Sequence, residues 1–310
     1  MGTFTLAHLT DVHLGPIAGF SPRYWNLKRA LGYVNWVRNR RDAYRREVLD
    51  RLVADMLAQA PDHIAVTGDL ANIGLPAEHA GALGWLEALG PPERVSVVPG
   101  NHDIYSSIGR DPGTRRWAAY MASDAAGAPF AVEGEAFPFV RVIGDVALVG
   151  VNSAVPTPPL AAWGRIGAAQ IARLRDTLGR LGDAGLFRLV LVHHPPLPGQ
   201  AGTLRGLRDA RMLEVTLQRP GAELVVHGHN HLNDFATRPS YRGDGVGRVS
   251  IVGAPSASLG RPYKGEPLAR YNLYRIAGSA PPWTIELIGR GLAEPGGPMV
   301  ELERRKLAAS

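Results

Sequence analysis

Val95-Ser96-Val97-Val98-Pro99-Gly100-Asn101-His102-Asp103 reads as a short, largely apolar strand. It stops at a proline–glycine turn carrying an amide, an imidazole and a carboxylate in succession. Working outward, the same unit recurs. Thr5 to Thr10 alternates in β-prone fashion and breaks at Asp11-Val12-His13-Leu14-Gly15. Ile64-Ala65-Val66-Thr67 runs into Gly68-Asp69, Leu189 to Val192 into His193-His194-Pro195-Pro196, and Leu224-Val225-Val226 into His227-Gly228-His229-Asn230-His231. Helix-forming stretches at 24–60, 76–90, 167–182 and 209–219 lie between these strands. Phe139 to Ile143 and Val146 to Val151 read as a hairpin around Gly144-Asp145, ending at Asn152. Strands alternating with helices specify an α/β fold, and such sheets bind ligands at the carboxyl ends of their strands. Strands near 248–252, 270–276 and 283–288 follow without helices, which points to a mixed sheet or a second sheet packed on the first. Residues 104–135 read as irregular to helical. Residues 1–290 are expected to form one domain, and the Gly-, Pro- and charge-rich stretch 291–310 a loose tail.

Composition narrows the chemistry. The 310 residues are 45% hydrophobic and 20% charged, an ordinary globular balance that excludes collagen-like, disordered and coiled-coil chains. With no cysteine there can be no disulfide scaffold, zinc–thiolate finger, iron–sulfur cluster or cysteine nucleophile. Any metal must sit on His, Asp, Glu or Asn. No apolar run is long enough to span a bilayer and no secretory signal is visible, so a cytoplasmic location is expected. Met1-Gly2 resembles a myristoylation start, but Leu6 stands where that motif needs Ser or Thr.

The net charge of +6 is local. Residues 23–51 hold nine basic side chains (Arg23, Lys28, Arg29, Arg38, Arg40, Arg41, Arg45, Arg46, Arg51) against Asp42, Glu47 and Asp50, so this segment carries all of it. A nucleic-acid coat over the whole chain is therefore disfavoured, and a local anionic contact is not.

The strand-end polar residues are Asp11, His13, Asp69, Asn101, His102, His193, His229 and His231. One metal needs four to six ligands. This larger set, with carboxylates and imidazoles mixed, suits two divalent ions sharing a bridging carboxylate. Turn-forming Asp and Asn capping helices would not explain imidazoles gathered at strand ends.

Together these blocks resemble the calcineurin-like metallophosphoesterases: Asp11-Val12-His13, Gly68-Asp69, Gly100-Asn101-His102-Asp103, His193 and Gly228-His229-Asn230-His231, in that order. The resemblance covers residues 6–231. It implies a four-layer α/β/β/α sandwich of two mixed sheets. It implies one metal on Asp11, His13, Asp69 and His231, and another on Asp69, Asn101, His193 and His229, with Asp69 bridging. The ions would be Mn, Fe or Zn. His102 would face the substrate, stabilising phosphoryl charge or protonating the leaving oxygen, while a hydroxide held between the ions attacks. Asn72 stands where purple acid phosphatases carry a tyrosine, and Leu70-Ala71-Asn72-Ile73-Gly74 lacks the acidic residue and arginine of protein phosphatases. What remains resembles the bacterial phosphodiesterase branch, with a phosphodiester or pyrophosphate as substrate. Candidate substrate contacts are His194, Asn72, Arg115 and Arg116. A non-catalytic scaffold on the same fold is disfavoured, because such scaffolds lose ligands and this chain keeps them. Oligomeric state is not written in any motif.

Residues 16–46 form an insertion mixing Trp25, Leu27, Leu31, Tyr33, Val34, Trp36 and Val37 with part of the basic run. Two expectations compete. In one, the aromatics pack on the core and the arginines face water. In the other, the element lies on an anionic membrane surface, at the inner membrane face, and serves a lipid-linked substrate such as a UDP-diacylglucosamine.

Overall fold

The computed structural model describes residues 2–19, 21–242 and 245–308. Among the described residues, twelve strands form two six-stranded sheets. The first holds β1 (Thr3–Leu9), β2 (His63–Val66), β3 (Val95–Val97), β10 (Arg270–Ala277), β11 (Thr284–Leu292) and β12 (Met299–Leu307), ordered β12-β11-β10-β1-β2-β3. The second holds β4 (Phe139–Ile143), β5 (Val146–Gly150), β6 (Phe187–Leu191), β7 (Leu224–His227), β8 (Phe235–Arg242) and β9 (Gly245–Gly253), ordered β4-β5-β6-β7-β9-β8. Both are mixed. β1, β2 and β3 run parallel beside antiparallel β10–β12. β5, β6, β7 and β9 run parallel between antiparallel edges.

Side-chain alternation builds the layers. Phe187, Leu189 and Leu191 of β6 and Leu224 and Val226 of β7 enter the core between the sheets, facing Leu6, Tyr274 and Leu287. The intervening Val190, Val192 and Val225 face outward onto α4 (Ala168–Asp183) and α5 (Ala210–Thr216), against Ile171, Leu174, Leu178 and Leu213. Strands covered on both faces read as near-continuous apolar runs, which is why these were visible in the sequence. On the first sheet, α2 (Arg46–Ala58) and α3 (Pro76–Leu89) contribute Leu49, Leu52, Met56 and Leu86 to the packed core. Each such fully buried aliphatic side chain is worth about 1.5–3 kcal/mol. The expected four-layer sandwich is the observed one.

Two strands depart from the sequence reading. β8 was not anticipated, because Pro239 interrupts it; the proline is tolerated at a sheet edge, where β8 lies. Residues 291–310, expected to be a loose tail, carry β12, paired with β11 from Met299–Leu292 to Leu307–Ile285. Its charged, half-exposed pattern suits an outermost strand. Residues 309–310 of that stretch lie outside the described residues.

The insertion folds as α1 (Leu27–Asn35), a π-helical turn over Trp36–Arg40, and a link into α2. Asn26 caps α1 by accepting from Arg29 N at 2.9 Å. The expectation that its arginines all face outward is corrected. Lys28, Arg29 and Arg40 are buried. Arg29 donates to the carbonyls of Tyr24, Ile73, Gly74, Ser106 and Ser107, fastening the insertion to the loops after β2 and β3.

Candidate metal centre

The carboxyl ends of β1, β2 and β3 meet those of β6 and β7, and the loops leaving them are held by backbone bonds. Asp11 N donates to Gly68 O (3.0 Å) and His13 N to Asp69 O (2.9 Å). The buried Asp103 carboxylate accepts from Asp69 N, Ala71 N and Gly100 N at 2.8–2.9 Å, tying two loops into one frame. Burial and the neighbouring Asp69 push that carboxyl up to about 7. The motif glycines permit close approach: a Cβ on Gly100 would meet Asp69 Oδ1 at 2.2 Å, and one on Gly228 would meet Thr10 Oγ1 at 2.0 Å. Asp11 (φ 51°), His13 (46°), Asp69 (56°), His229 (68°) and His231 (56°) all adopt the left-handed region. Each costs of order 1 kcal/mol, strain of a kind that concentrates where side chains are aimed for function.

The donors converge as the motif predicts. His231 Nε2 lies 3.0 Å from Asp11 Oδ1, His193 Nε2 3.1 Å from Asn101 Oδ1 and 3.5 Å from Asp69 Oδ2, and His229 Nδ1 2.7 Å from Asn101 Oδ1. Atoms about 2.1 Å from a common ion stand about 3.0–3.4 Å apart in octahedral or tetrahedral geometry, so the 3.0 and 3.1 Å separations are those of coordination edges. Among the described residues, Asp11–His13–His231 and Asp11–Asp69–His193 each bring three donor atoms within 4.8 Å of one another.

Outer contacts aim the rings. His13 Nδ1 bonds Ala71 O (3.2 Å), His193 Nδ1 bonds Thr67 O (2.6 Å) and His231 Nδ1 meets Glu266 Oε2 (2.8 Å), leaving each Nε2 toward the centre. Burial, reinforced by Arg40, holds the His13 imidazole well below its usual range, so its Nε2 carries a lone pair, which in this structure accepts from Arg40 Nη2. At His231, burial is outweighed by Asp11 and Glu266, which push the ring up to about 9; at His193, Asp69 does the same, also to about 9. The buried carboxylates thus favour positive charge at the centre. The buried His229 Nε2 has no hydrogen-bond partner among the described residues. Hard oxygen donors, imidazoles, edge-length separations and an orphaned ring nitrogen together fit divalent cations.

The centre opens into a cleft of about 170 Å³ lined by Asp69, Asn101, His102, His229 and His231. Arg40, Tyr44, Arg205, Lys264 and Glu266 complete the lining. Arg40 directs Nη2 to His13 Nε2 (2.6 Å) and Nη1 to His102 Nε2 (3.2 Å). Tyr44 donates to Glu266 Oε2 at 2.9 Å. His102 N donates to Asp69 Oδ1 (2.7 Å), and its Nδ1–H donates to the Asn72 carbonyl, so Nε2 is the nitrogen presented to the cleft.

The sequence profile of the calcineurin-like phosphoesterases matches residues 4–233. The chain belongs to that family. It is 28% identical over 178 residues to the glycerophosphodiester phosphodiesterase GpdQ of Enterobacter lignolyticus, covering 56% of this chain and 58% of that protein. It is 27% identical over 241 residues to a cAMP/cGMP dual specificity phosphodiesterase of Mycobacterium tuberculosis, covering 76% of this chain and 64% of that one. The chain thus spans under two thirds of either relative. A dimetal phosphatase from Danio rerio shares the fold, with a TM-score of 0.63 at 15% identity and 99% of both chains covered. The yellow lupin purple acid phosphatase PPD1 does so with a TM-score of 0.56 at 11% identity, over 99% of this chain and 54% of that one.

Within this calcineurin-like phosphoesterase, four expected substrate residues lie elsewhere than a cleft wall. Arg116 pairs with Asp111 at 2.9 Å. Arg115 lines a separate cavity of about 770 Å³, with Met121, Val132 and Phe137, that contains none of the donors. That cavity is larger, but donor chemistry places the site in the smaller cleft. His194 is fully buried behind His229, bonded to Ser153 Oγ (2.8 Å) and Ala162 O (3.2 Å). Asn72 is also buried; its amide bonds Leu14 O (2.7 Å), and it orients His102 through its main-chain carbonyl. Conversely, Arg40, Tyr44, Arg205, Lys264 and Glu266 were not singled out from the sequence as site residues. The basic run announced Arg40 only as one of nine. Glu266 sits between β9 and β10 with no motif around it.

Proposed function

We propose that this chain is a metal-dependent phosphodiesterase. The observation that carries the reading is the convergence of Asp11, His13, Asp69, Asn101, His193, His229 and His231 beside a cleft rimmed by Arg40, Arg205 and Lys264. Two divalent ions of the Mn, Fe or Zn type, when bound, would polarise a phosphoryl oxygen and make water a usable nucleophile near neutral pH. Asp11, His13 and His231 would hold one, and Asn101, His193 and His229 the other. Asp69 is the better bridge although Asp11 is common to both donor triads. Asp11 Oδ2 accepts two bonds, from Thr10 Oγ1 and His229 N, each at 2.9 Å, whereas Asp69 Oδ1 accepts one, from His102 N at 2.7 Å, and Asp69 lines the open cleft.

The chain's own groups do the rest. Arg40 presents a guanidinium where the substrate's phosphate charge would meet it. His102, its Nδ1–H fixed on Asn72 O, exchanges a proton with the reacting oxygens only through Nε2. Asn101, a neutral ligand, keeps the site's negative charge low enough for an anion to approach. The names of the relatives support a diester over a monoester. The complete donor set opposes a non-catalytic scaffold.

The test is a hydrolysis screen of Mn²⁺-loaded protein against cyclic nucleotides, glycerophosphodiesters, nucleotide-sugar lipids and aryl phosphates. Diester cleavage that chelation abolishes supports the reading. Monoester cleavage alone, or none of any class, overturns it.

A further inference from the structure

The helix α1 is built inside out. At 100° per residue, positions 27, 31 and 34 fall within about 60° of arc. Those positions are Leu27, Leu31 and Val34, exposed at 66%, 42% and 45%. Lys28 and Arg29 point inward, at 6% and 1%. A surface helix ordinarily buries its apolar stripe and wets its charges. Here the inward cations are the anchor: Arg29 holds five carbonyls, and Lys28 Nζ bonds Thr157 Oγ1 at 2.6 Å. The apolar face is therefore fixed outward rather than left unpacked. Trp25, before the helix, and Val37, after it, are also exposed.

The surroundings select the occupant. Arg23 before α1, and Arg38, Arg41, Arg45 and Arg46 in the segment after it, are exposed. Arg41 and Arg46 have acidic neighbours in Asp42 (3.6 Å) and Asp50 (2.7 Å), while Arg38 has no ion-pair partner among the described residues. We infer that the outer face of α1 with its arginine rim is a docking surface for an anionic lipid bilayer. Apolar side chains flanked by arginine match the acyl boundary and the phosphate layer at once. A second copy of the chain fits less well, since a two-fold contact through this face would set one arginine rim against the other. The same segment continues into the cleft: Asn35, Arg40 and Tyr44 line it. Docking would therefore bring the mouth of the site to the head groups. If the phosphodiesterase reading holds, the substrates are phosphodiesters presented at a membrane surface. The docking itself does not depend on that reading.

Co-sedimentation of the purified chain with extruded vesicles tests it, comparing phosphatidylcholine alone with phosphatidylcholine plus phosphatidylglycerol. Wild type should pellet with the anionic vesicles only, and less as salt is raised. Arg38→Ser should weaken binding about fivefold, and the Leu27→Ser/Leu31→Ser/Val34→Ser variant should stay in the supernatant. That triple variant should keep wild-type turnover of a soluble aryl phosphodiester, which shows its fold intact. Wild type remaining in the supernatant with both vesicles at low salt overturns the inference. So does a triple variant that pellets like wild type, or light scattering that shows a dimer split by the triple variant. Vesicle binding by a protein inactive on every diester would sustain the docking surface and sink the phosphodiesterase reading alone.

Discussion

Arg40→Ala is expected to cut kcat/KM on a soluble aryl phosphodiester without removing metal. Arg40 is 9% exposed, and its guanidinium carbon lies 4.7 Å from the centre of the Tyr44 ring, which fixes its plane. Two of its nitrogens point at His13 and His102 across the mouth of the cleft. A charge-assisted hydrogen bond is worth about 1.5–3 kcal/mol, so losing one to the phosphate costs about 10- to 150-fold in kcat/KM. Lysine keeps the charge but not the planar fork, and Arg40→Lys should fall between the two. Competitive inhibition by inorganic phosphate should weaken by a similar factor, because it reads anion binding without turnover. Metal content and melting temperature, measured alongside, distinguish a binding defect from a collapsed site. Unchanged kcat/KM together with unchanged phosphate inhibition would refute the placement of Arg40 on the substrate.

Three further variants probe other parts of the account. His102→Ala should retain its metal yet lose about 10²–10⁴-fold in rate, as expected for a positioned proton-transfer or charge-stabilising group; metal analysis with steady-state kinetics reads both. Glu223→Ala should destabilise the fold by about 3–5 kcal/mol in urea titrations, because it strands the buried Arg188 guanidinium, now bonded to Glu223 through Nε (3.0 Å) and Nη2 (2.5 Å). His63, bonded to Ser96 Oγ at 2.8 Å, is pushed down to about 3 by burial, with Arg141 and Arg94 adding to the effect. The unfolded chain takes up a proton there below 6.5 while the folded one does not. The contribution is thus complete above that pH and is lost as pH falls toward 3, by about 1.4 kcal/mol per pH unit. His63→Gln should therefore lose about 2 kcal/mol less than wild type between pH 7 and pH 5, by denaturant titration at each pH.

The donor set was legible because its chemistry follows each buried strand at once. Asp11, Asp69, Asn101, His193 and His229 lie within a few residues of the apolar runs that position them, and the adjoining glycines mark loops that must pass at close range. Edge elements were less legible. Pro239 in β8 and the charges of β12 obey the rules for outer strands, which resemble those for loops. The rest of the cleft's lining was not legible at all. Arg40, Lys264 and Glu266 reach it from segments far apart in sequence, and nothing local distinguishes Arg40, aimed into the site, from Arg38, aimed outward. Arg115 and Arg116 show the converse. They follow the Gly100–Asp103 turn closely, yet from the 3₁₀ helix over Gly113–Met121 Arg115 lines a cavity that holds none of the donors and Arg116 pairs with Asp111.

The proposed hydrolysis rests on a two-ion centre bridged by Asp69. The most direct measurement is the metal-to-protein ratio, with anomalous scattering to locate the ions, in wild type and in Asp69→Asn after loading with Mn²⁺. Wild type should hold two ions per chain, both near Asp69, and the variant should lose at least one ion together with diester hydrolysis. Full occupancy and full activity in Asp69→Asn, or a single ion in wild type held by Asp11, His13 and His231, would contradict it.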